Sequence, residues 1–410
     1  MAQSARLPGA PDEDARVICH VDVDCFYAAC ERLREPALRG EPVVVGMGYE
    51  PGETHGAVAT ASYEAREYGV ESAQAISEAL DLLPRKAEAA ADPNPDVDDA
   101  GHYRPVDMDY YESVARDVQR LLDEAAGTVR AVSVDEAYLD VTGRVGWDGD
   151  PGSFARELKA RIDEAVGVTA SVGVAPTMSA AKVASDRDKP DGLVVVEPRT
   201  VRDFFVPLPV ESVHGVGPVT AAELRDMGVE TAGDLAAADT VRIEERFGER
   251  GLEVQRFARG EDDRRVEPRG DPKSLSRESA FPEATADPGR QRDQVRSLAT
   301  SVAERATRRG ALYRTIGLKV VTPPFEVHTR AESLPGPVDD AALVREVTVD
   351  LFGEFAGQEV RKLGVRVSNL AFAAGEQTAL DNWVDPADGP PNTATERGQG
   401  TRQSTLAEFR

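Results

Sequence analysis

Four carboxylates carry the strongest chemical signal in this 410-residue sequence: Asp22 and Asp24 in VICHVDVD, and the adjacent pair Asp135 and Glu136 in AVSVDEAYLD. Carboxylates gathered from neighbouring strands form a hard-oxygen site suited to Mg²⁺, which prefers carboxylate, phosphate and water ligands. Two such ions about 3.5–4 Å apart can activate an attacking hydroxyl and stabilise a leaving pyrophosphate. In a chain that is 30% charged, any single aspartate reads first as a solvated strand end. The grouping, and what surrounds it, sets these apart.

Residues 17–24 alternate as a strand, which puts Asp22 and Asp24 on one face and Val21 and Val23 on the other. AVSV and AYLDV read as two more strands separated by Asp135 and Glu136, and at a hairpin apex two neighbouring carboxylates can converge. FYAACERLRE, residues 107–127, ELKARIDEAVG and SAAKVASDRDKPDG read as helices, the last stopping before Pro190. EPVVVG, GAVATAS and TASVGVAP read as strands, and YEAREYGV as the start of a short helix. This alternation over 17–196 predicts an α/β or α+β core domain. VHGVGPVTAAELRDMGVETAGDLA reads as a Gly-rich hairpin between two short helices, with helical character continuing to about 260. The polar, Pro-containing run EDDRRVEPRGDPKSLSRES reads as an interdomain linker, and 275–370 as a second α/β or α+β domain. Beyond about 372 the composition is that of a disordered tail.

The net charge is −25, from 73 acidic against 48 basic residues, only seven of which are lysine. Taken alone, that balance argues against nucleic-acid binding. Acidity spread along the whole chain, with scarce lysine, instead suits a salt-loving host, because in molar salt the Debye length is about 3 Å and self-repulsion is screened. Residues 271–370 escape the bias, with 15 basic and 14 acidic residues, as a phosphate-facing surface requires. No apolar run is long enough to span a membrane and no signal peptide is evident, so a cytoplasmic protein is expected. Cys19, Cys25 and Cys30 form neither a CxxC pair nor a zinc-ligand pattern and read as reduced structural thiols.

HVDVDCFYAACE, GAVATASYEAREYGV, SVDEAYLD, SVGVAPTMSAAKVASDRDKPDG, VHGVGP, RTIGLKV and LGVRVSNL, in this order, resemble the Y-family translesion DNA polymerases, most closely the DNA polymerase IV branch, over about residues 17–371. The resemblance implies a multidomain α+β right hand. Its parts would be a palm (1–25 and 108–196), small fingers (26–107, with an acidic insertion at 86–100), a helix-hairpin-helix thumb (197–263), a linker (264–274), a little finger (275–371) and a tail (372–410). It implies Asp22, Asp135 and Glu136 as carboxylates holding two Mg²⁺ ions, with the Val23 carbonyl as a further ligand. Asp24 shares the face of Asp22, but the family motif gives it no such role. Tyr27 falls at the steric gate that rejects a ribonucleotide 2′-hydroxyl. The Phe26 and Tyr27 amides, Thr60, Tyr63, Arg66 and Lys189 would face the incoming deoxynucleoside triphosphate, with Lys182 a weaker candidate. Gly215 and Gly217 would let the backbone approach a DNA phosphate.

The terminal QSTLAEFR resembles a sliding-clamp binding peptide with anchors Gln403, Leu406 and Phe409, and Arg410 stands where a second aromatic is usual. The chain also departs from the family in reading Ser72-Ala73-Gln74-Ala75-Ile76 where a Met-Pro segment is common. The implied function is low-fidelity, template-directed DNA synthesis by a monomer on primer-template DNA, with no membrane partner. A template-restricted nucleotide inserter and a non-catalytic DNA- or clamp-binding module are the alternatives.

Overall fold

The computed structural model describes residues 15–89 and 99–372, which divide into two units, one ending at Arg269 and one starting at Gly270. In the first unit, the strands β1 (Ile18–Val23) and β2 (Val43–Gly46) flank helix α1 (Phe26–Arg34). Next come β3 (Val58–Ala61), α2 (Tyr63–Glu67), α3 (Ile76–Leu82), α4 (Lys86–Ala89), β4 (His102–Arg104) and the long α5 (Met108–Ala125). Then follow β5 (Thr128–Ala131), β6 (Glu136–Asp140), α6 (Pro151–Val166), β7 (Ala170–Ala175), α7 (Met178–Arg187) and β8 (Leu193–Val195). Helices α8 (Val201–Phe205), α9 (Pro218–Asp226), α10 (Ala232–Ala237) and α11 (Thr240–Ala258) complete it, the last broken at Gly248.

The central sheet has the order β5-β6-β1-β7-β8, with β1 antiparallel to both its neighbours. The period of two divides β1 as its sequence predicts. Cys19, Val21 and Val23 enter a core shared with α1, α5 and α6, while Ile18 belongs to a second core that includes α7 and the helices beyond it. His20, Asp22 and Asp24 therefore lie on the α7 side. α7 packs directly on the sheet at Gly173, where an added Cβ would come closer than 3.0 Å to the Ala181 carbonyl oxygen, the Ser185 amide and the Ala184 Cβ. Gly173 is the register partner of His20, so this close approach fixes the distance between α7 and the carboxylate-bearing face. Gly173→Ala is expected to destabilise the first unit by about 3 kcal/mol, since the obstructing atoms are mostly backbone; an unchanged thermal midpoint would contradict this.

A smaller three-stranded sheet, β3-β2-β4, closes over its own core of Val44, Val58, Ile76 and Leu83. The 86–100 segment, expected as a solvated insertion, begins as a tethered helical turn: Lys86 pairs with Glu41 and Arg85 with Glu88. At its other end Ala100 is buried, and its middle lies outside the described residues. The hairpin at 213–218 is preceded by one 3-10 turn (Val210–Ser212), not by a regular helix. That turn is too short to carry the hydrophobic periodicity that marks a helix in sequence.

The polar stretch read as a linker is partly fixed to the first unit. The Asp262 side chain is buried and accepts bonds from the Ser179 amide (2.9 Å) and from Arg264 Nε and Nη2 (both 2.8 Å). Arg269 donates to the Val132 carbonyl. The second unit contains β9 (Ser274–Thr285), α12 (Pro288–Arg308), β10 (Ala311–Thr322), β11 (Glu326–Val338), α13 (Ala341–Phe352) and β12 (Val360–Phe372). Its antiparallel sheet has the order β11-β10-β12-β9, and the sheet core includes residues of both helices. β9 takes up residues assigned to the linker, and α13 has no counterpart in the sequence reading. Among the described residues, no helix is long and apolar enough to cross a membrane.

Candidate active site

Antiparallel pairing sets Asp22 on β1 opposite Glu136 on β6 and opposite Ser171 on β7. β5 ends at Ala131, so residues 132–135 form the turn, and Glu136 is the first residue of β6. The two adjacent acids thus differ: Glu136 is held by strand register, whereas Asp135 belongs to the turn. The Val23 amide donates to the Asp135 carbonyl (2.9 Å), tying that turn to the end of β1.

Donor atoms of His20, Asp22 and Glu136 lie within 4.8 Å of one another, an arrangement able to hold a metal ion. Asp135 stands outside this group and accepts a 2.5 Å bond from Ser133 Oγ. Burial raises the Asp135 pKa, and the charges of Asp22 and Glu136 add to that, so like charges press on it from both neighbours. The His20 ring, first, and the Lys182 ammonium hold the Glu136 carboxyl down at about 2 against the opposing effect of burial.

Two ammonium groups close the cluster. Lys182 Nζ lies 2.9 Å from Asp22, 3.2 Å from Glu136 and 3.2 Å from Asp186, and Lys189 Nζ lies 2.8 Å from Asp22 and 2.9 Å from Asp186. Burial acts to lower both lysine pKa values, but the carboxylates outweigh it and both are raised. Lys182 is thus as close to the acids as Lys189, which the sequence reading had ranked ahead of it.

Asp24 has a different task from Asp22. Only 6% exposed, it accepts from Ser171 Oγ (2.9 Å), the Asp191 amide (2.8 Å) and the Tyr63 hydroxyl (3.2 Å). These bonds knit β1, β7 and α2 together behind the cluster, and a carboxylate so occupied is structural. Tyr63 therefore spends its hydroxyl on Asp24. The Arg66 guanidinium lies over the Tyr63 ring at 4.7 Å, and its Nε donates to the Ala61 carbonyl, so the i, i+3 pair shares one place as the spacing predicts. Thr60 lies half-buried at the end of β3.

Helix α1 starts beside the cluster from Cys25, whose left-handed φ of 46° turns the chain abruptly out of β1. No side chain caps this helix, so the amides of Phe26 and Tyr27 remain suited to an anion. The Phe26 side chain itself is core. Tyr27 is half-buried and stacks on Tyr111 with centroids 4.7 Å apart and planes 16° apart, and the Tyr111 hydroxyl donates to buried Glu31 (2.7 Å). Gly215, at φ 90°, has a left-handed conformation that favours glycine, whereas Gly217 does not. Gln403, Leu406 and Phe409 lie outside the described residues.

The sequence reading missed three members: His20, Ser171 and Asp186. His20 was accessible, because the same period of two that aligned Asp22 with Asp24 includes it. Ser171 and Asp186 reach the site only through sheet pairing and the seating of α7, which no local pattern reveals.

The chemistry this arrangement supports is that of a divalent-cation site beside an anion-binding helix start. A profile of the impB/mucB/samB family matches residues 21–186, and one of the impB/mucB/samB family C-terminal domain matches 272–380. A DNA polymerase IV of Halobacterium salinarum is 62% identical over 380 residues, covering 93% of this chain and 91% of that protein. A DNA polymerase IV of Methanoculleus marisnigri is 40% identical over 370 residues, covering 90% and 98%. Among solved structures, a Y-family DNA polymerase chimera, Dbh-Dpo4(243-245)-Dbh, aligns with TM-score 0.74 at 26% identity, covering 87% of this chain and all of that one. An insertion ternary complex of Dbh DNA polymerase aligns with TM-score 0.61 at 25% identity, with the same coverage. The chain belongs to the Y-family DNA polymerases, within the DNA polymerase IV branch.

Proposed function

We propose that the chain is a template-directed, low-fidelity DNA polymerase that performs translesion synthesis by two-metal nucleotidyl transfer on primer-template DNA. The observation that carries this is the registered pairing of Asp22 with Glu136, with Asp135 in the adjoining turn, in a chain 62% identical to a DNA polymerase IV. Palm, fingers and thumb correspond to 1–25 with 108–196, to 26–107 and to 197–263. The little finger corresponds to 275–371.

The primer 3′-hydroxyl attacks the α-phosphate of the deoxynucleoside triphosphate, and pyrophosphate leaves. Asp22, Asp135, Glu136 and the Val23 carbonyl would hold two Mg²⁺ ions, which supply charge stabilisation for the attacking and leaving oxygens. Their donors are hard oxygens; Lys182 and Lys189 pair with Asp22, and Lys182 and strand register hold Glu136 in place. Lys189 and Arg66 complement each other on the triphosphate, one as a point charge and one as a planar fork. The uncapped α1 amides of Phe26 and Tyr27 receive phosphate oxygens, with Thr60 and Tyr63 alongside, and the Tyr27 ring sits beneath the sugar. Fingers built on four- and three-residue strands and helices of nine residues or fewer enclose the base pair loosely, which lowers fidelity and admits damaged templates. Gly215 and Gly217 receive a DNA phosphate. Primer extension with all four nucleotides tests the reading against a one-nucleotide inserter and a non-catalytic binder.

The last eight residues dock a sliding clamp through Gln403, Leu406 and Phe409, on a tether that raises effective concentration without touching chemistry. Deleting 402–410 is expected to leave single-nucleotide insertion unaltered and to abolish stimulation by the host clamp. Equal stimulation of the truncated and full-length chains would refute it.

A further inference from the structure

Helix α12 departs from the acidic character of the chain. Residues 288–309 hold six arginines, Arg290, Arg292, Arg296, Arg305, Arg308 and Arg309, against two acids, Asp293 and Glu304. Without them, residues 271–370 would carry 9 basic and 12 acidic residues, so this helix is what lifts that stretch out of the bias. All six arginines are exposed. Arg296 has one long ion pair, to Asp293 at 3.5 Å, and among the described residues the other five have none. Helix stability does not explain the charge. Arg305 and Arg308 suit the negative end of the helix, but Arg290 and Arg292 stand in its opening turns, where the macrodipole disfavours cations.

The chain itself supplies a complement. Residues 373–396 contain Glu376, Asp381, Asp385, Asp388 and Glu396 with no lysine, arginine or histidine. They follow directly on Phe372, the register partner of Ala311, so they leave β12 beside the Arg308–Arg309 end of α12. The 16 residues 373–388 can extend about 50 Å at about 3.3 Å each, whereas α12, of 21 residues, is about 31 Å long. We propose that the acidic segment 376–388 docks along the exposed arginines of α12. In molar salt only charges in contact attract, since the Debye length is about 3 Å. Arginine offers such contacts, planar forks for Asp381, Asp385 and Asp388 and a flat face for the Trp383 ring among them. The docked segment neutralises the basic helix and keeps that face from competing for DNA phosphate.

Trp147 and Trp383 are the two tryptophans of the chain, so the full-length Trp147→Phe variant carries one reporter, within the docking segment. In about 1 M KCl, acrylamide is expected to quench Trp383 at least about twofold less in this chain than in the free peptide 373–396. Adding Arg292→Glu with Arg296→Glu, or Arg305→Glu with Arg308→Glu, is expected to raise quenching toward the peptide value; all four sites are exposed, so the fold is kept. Quenching in the chain equal to that in the peptide overturns the inference. So does protection that both charge reversals leave unchanged, which would seat the segment elsewhere. Reversals that weaken binding of duplex DNA while Trp383 stays as accessible as in the peptide overturn it in favour of a nucleic-acid surface. Should Trp147→Phe fail to fold, fluorine NMR of the unsubstituted chain labelled with 5-fluorotryptophan separates the two residues. A Trp383 resonance at the position it has in the labelled peptide then overturns the inference instead.

Discussion

Asp22→Asn is expected to slow single-turnover nucleotide insertion by roughly 10²–10³-fold, with primer-template affinity held within a few-fold. The substitution keeps the shape of the side chain and its place in the β1 register, but removes the charge that faces Lys182 and Lys189 at 2.9 and 2.8 Å. A ligand to ions that act on charge developing in the transition state contributes to the rate far more than to ground-state DNA binding. Asp24→Asn is the internal control. Asp24 accepts from Ser171, Tyr63 and Asp191, so its loss acts chiefly on stability. Near-normal insertion by Asp22→Asn would remove Asp22 from the catalytic set.

Tyr27→Ala is expected to raise ribonucleotide insertion relative to deoxynucleotide insertion by about 10-fold or more, equivalent to at least about 1.4 kcal/mol of discrimination. Discrimination by a clash requires that the obstacle not move aside. The Tyr27 ring is stacked on Tyr111, which is itself anchored through its hydroxyl to Glu31. Deoxynucleotide insertion should fall much less, since no 2′-hydroxyl tests the gap. Competition between the two nucleotides in single-turnover insertion measures the ratio directly, and an unchanged ratio would place the gate elsewhere.

Much of the site was legible because it is local in sequence. The HVDVD alternation places His20, Asp22 and Asp24 on one strand face, and α7 lies on that side of the sheet. The pairing of β1 with β6, which brings Asp22 opposite Glu136, is a long-range event inferable only through the family resemblance. What Asp24 does was not legible, since its partners come from three separate segments. Element starts were less well read than element types. Asp150-Pro151 and Asp287-Pro288 place a capping aspartate before a proline at the first helical position, and α6 and α12 begin there. The sequence reading began α6 several residues later, at Glu157, because it followed apolar periodicity and passed over the cap. The two units divide between Arg269 and Gly270. Yet polarity alone cannot tell a free linker from one whose aspartate is buried, as Asp262 is.

The most direct measurement is extension of a primer across a single abasic site, with all four deoxynucleotides and Mg²⁺, over a series of KCl concentrations. An active site formed by Asp22, Asp135 and Glu136, on a chain of net charge −25, predicts products that continue past the lesion and persist at about 1 M KCl, where the Debye length is near 3 Å. The same reaction with Asp22→Asn should yield almost none. Termination of the wild-type chain before the lesion, or after one added nucleotide, at every salt concentration would contradict a translesion polymerase.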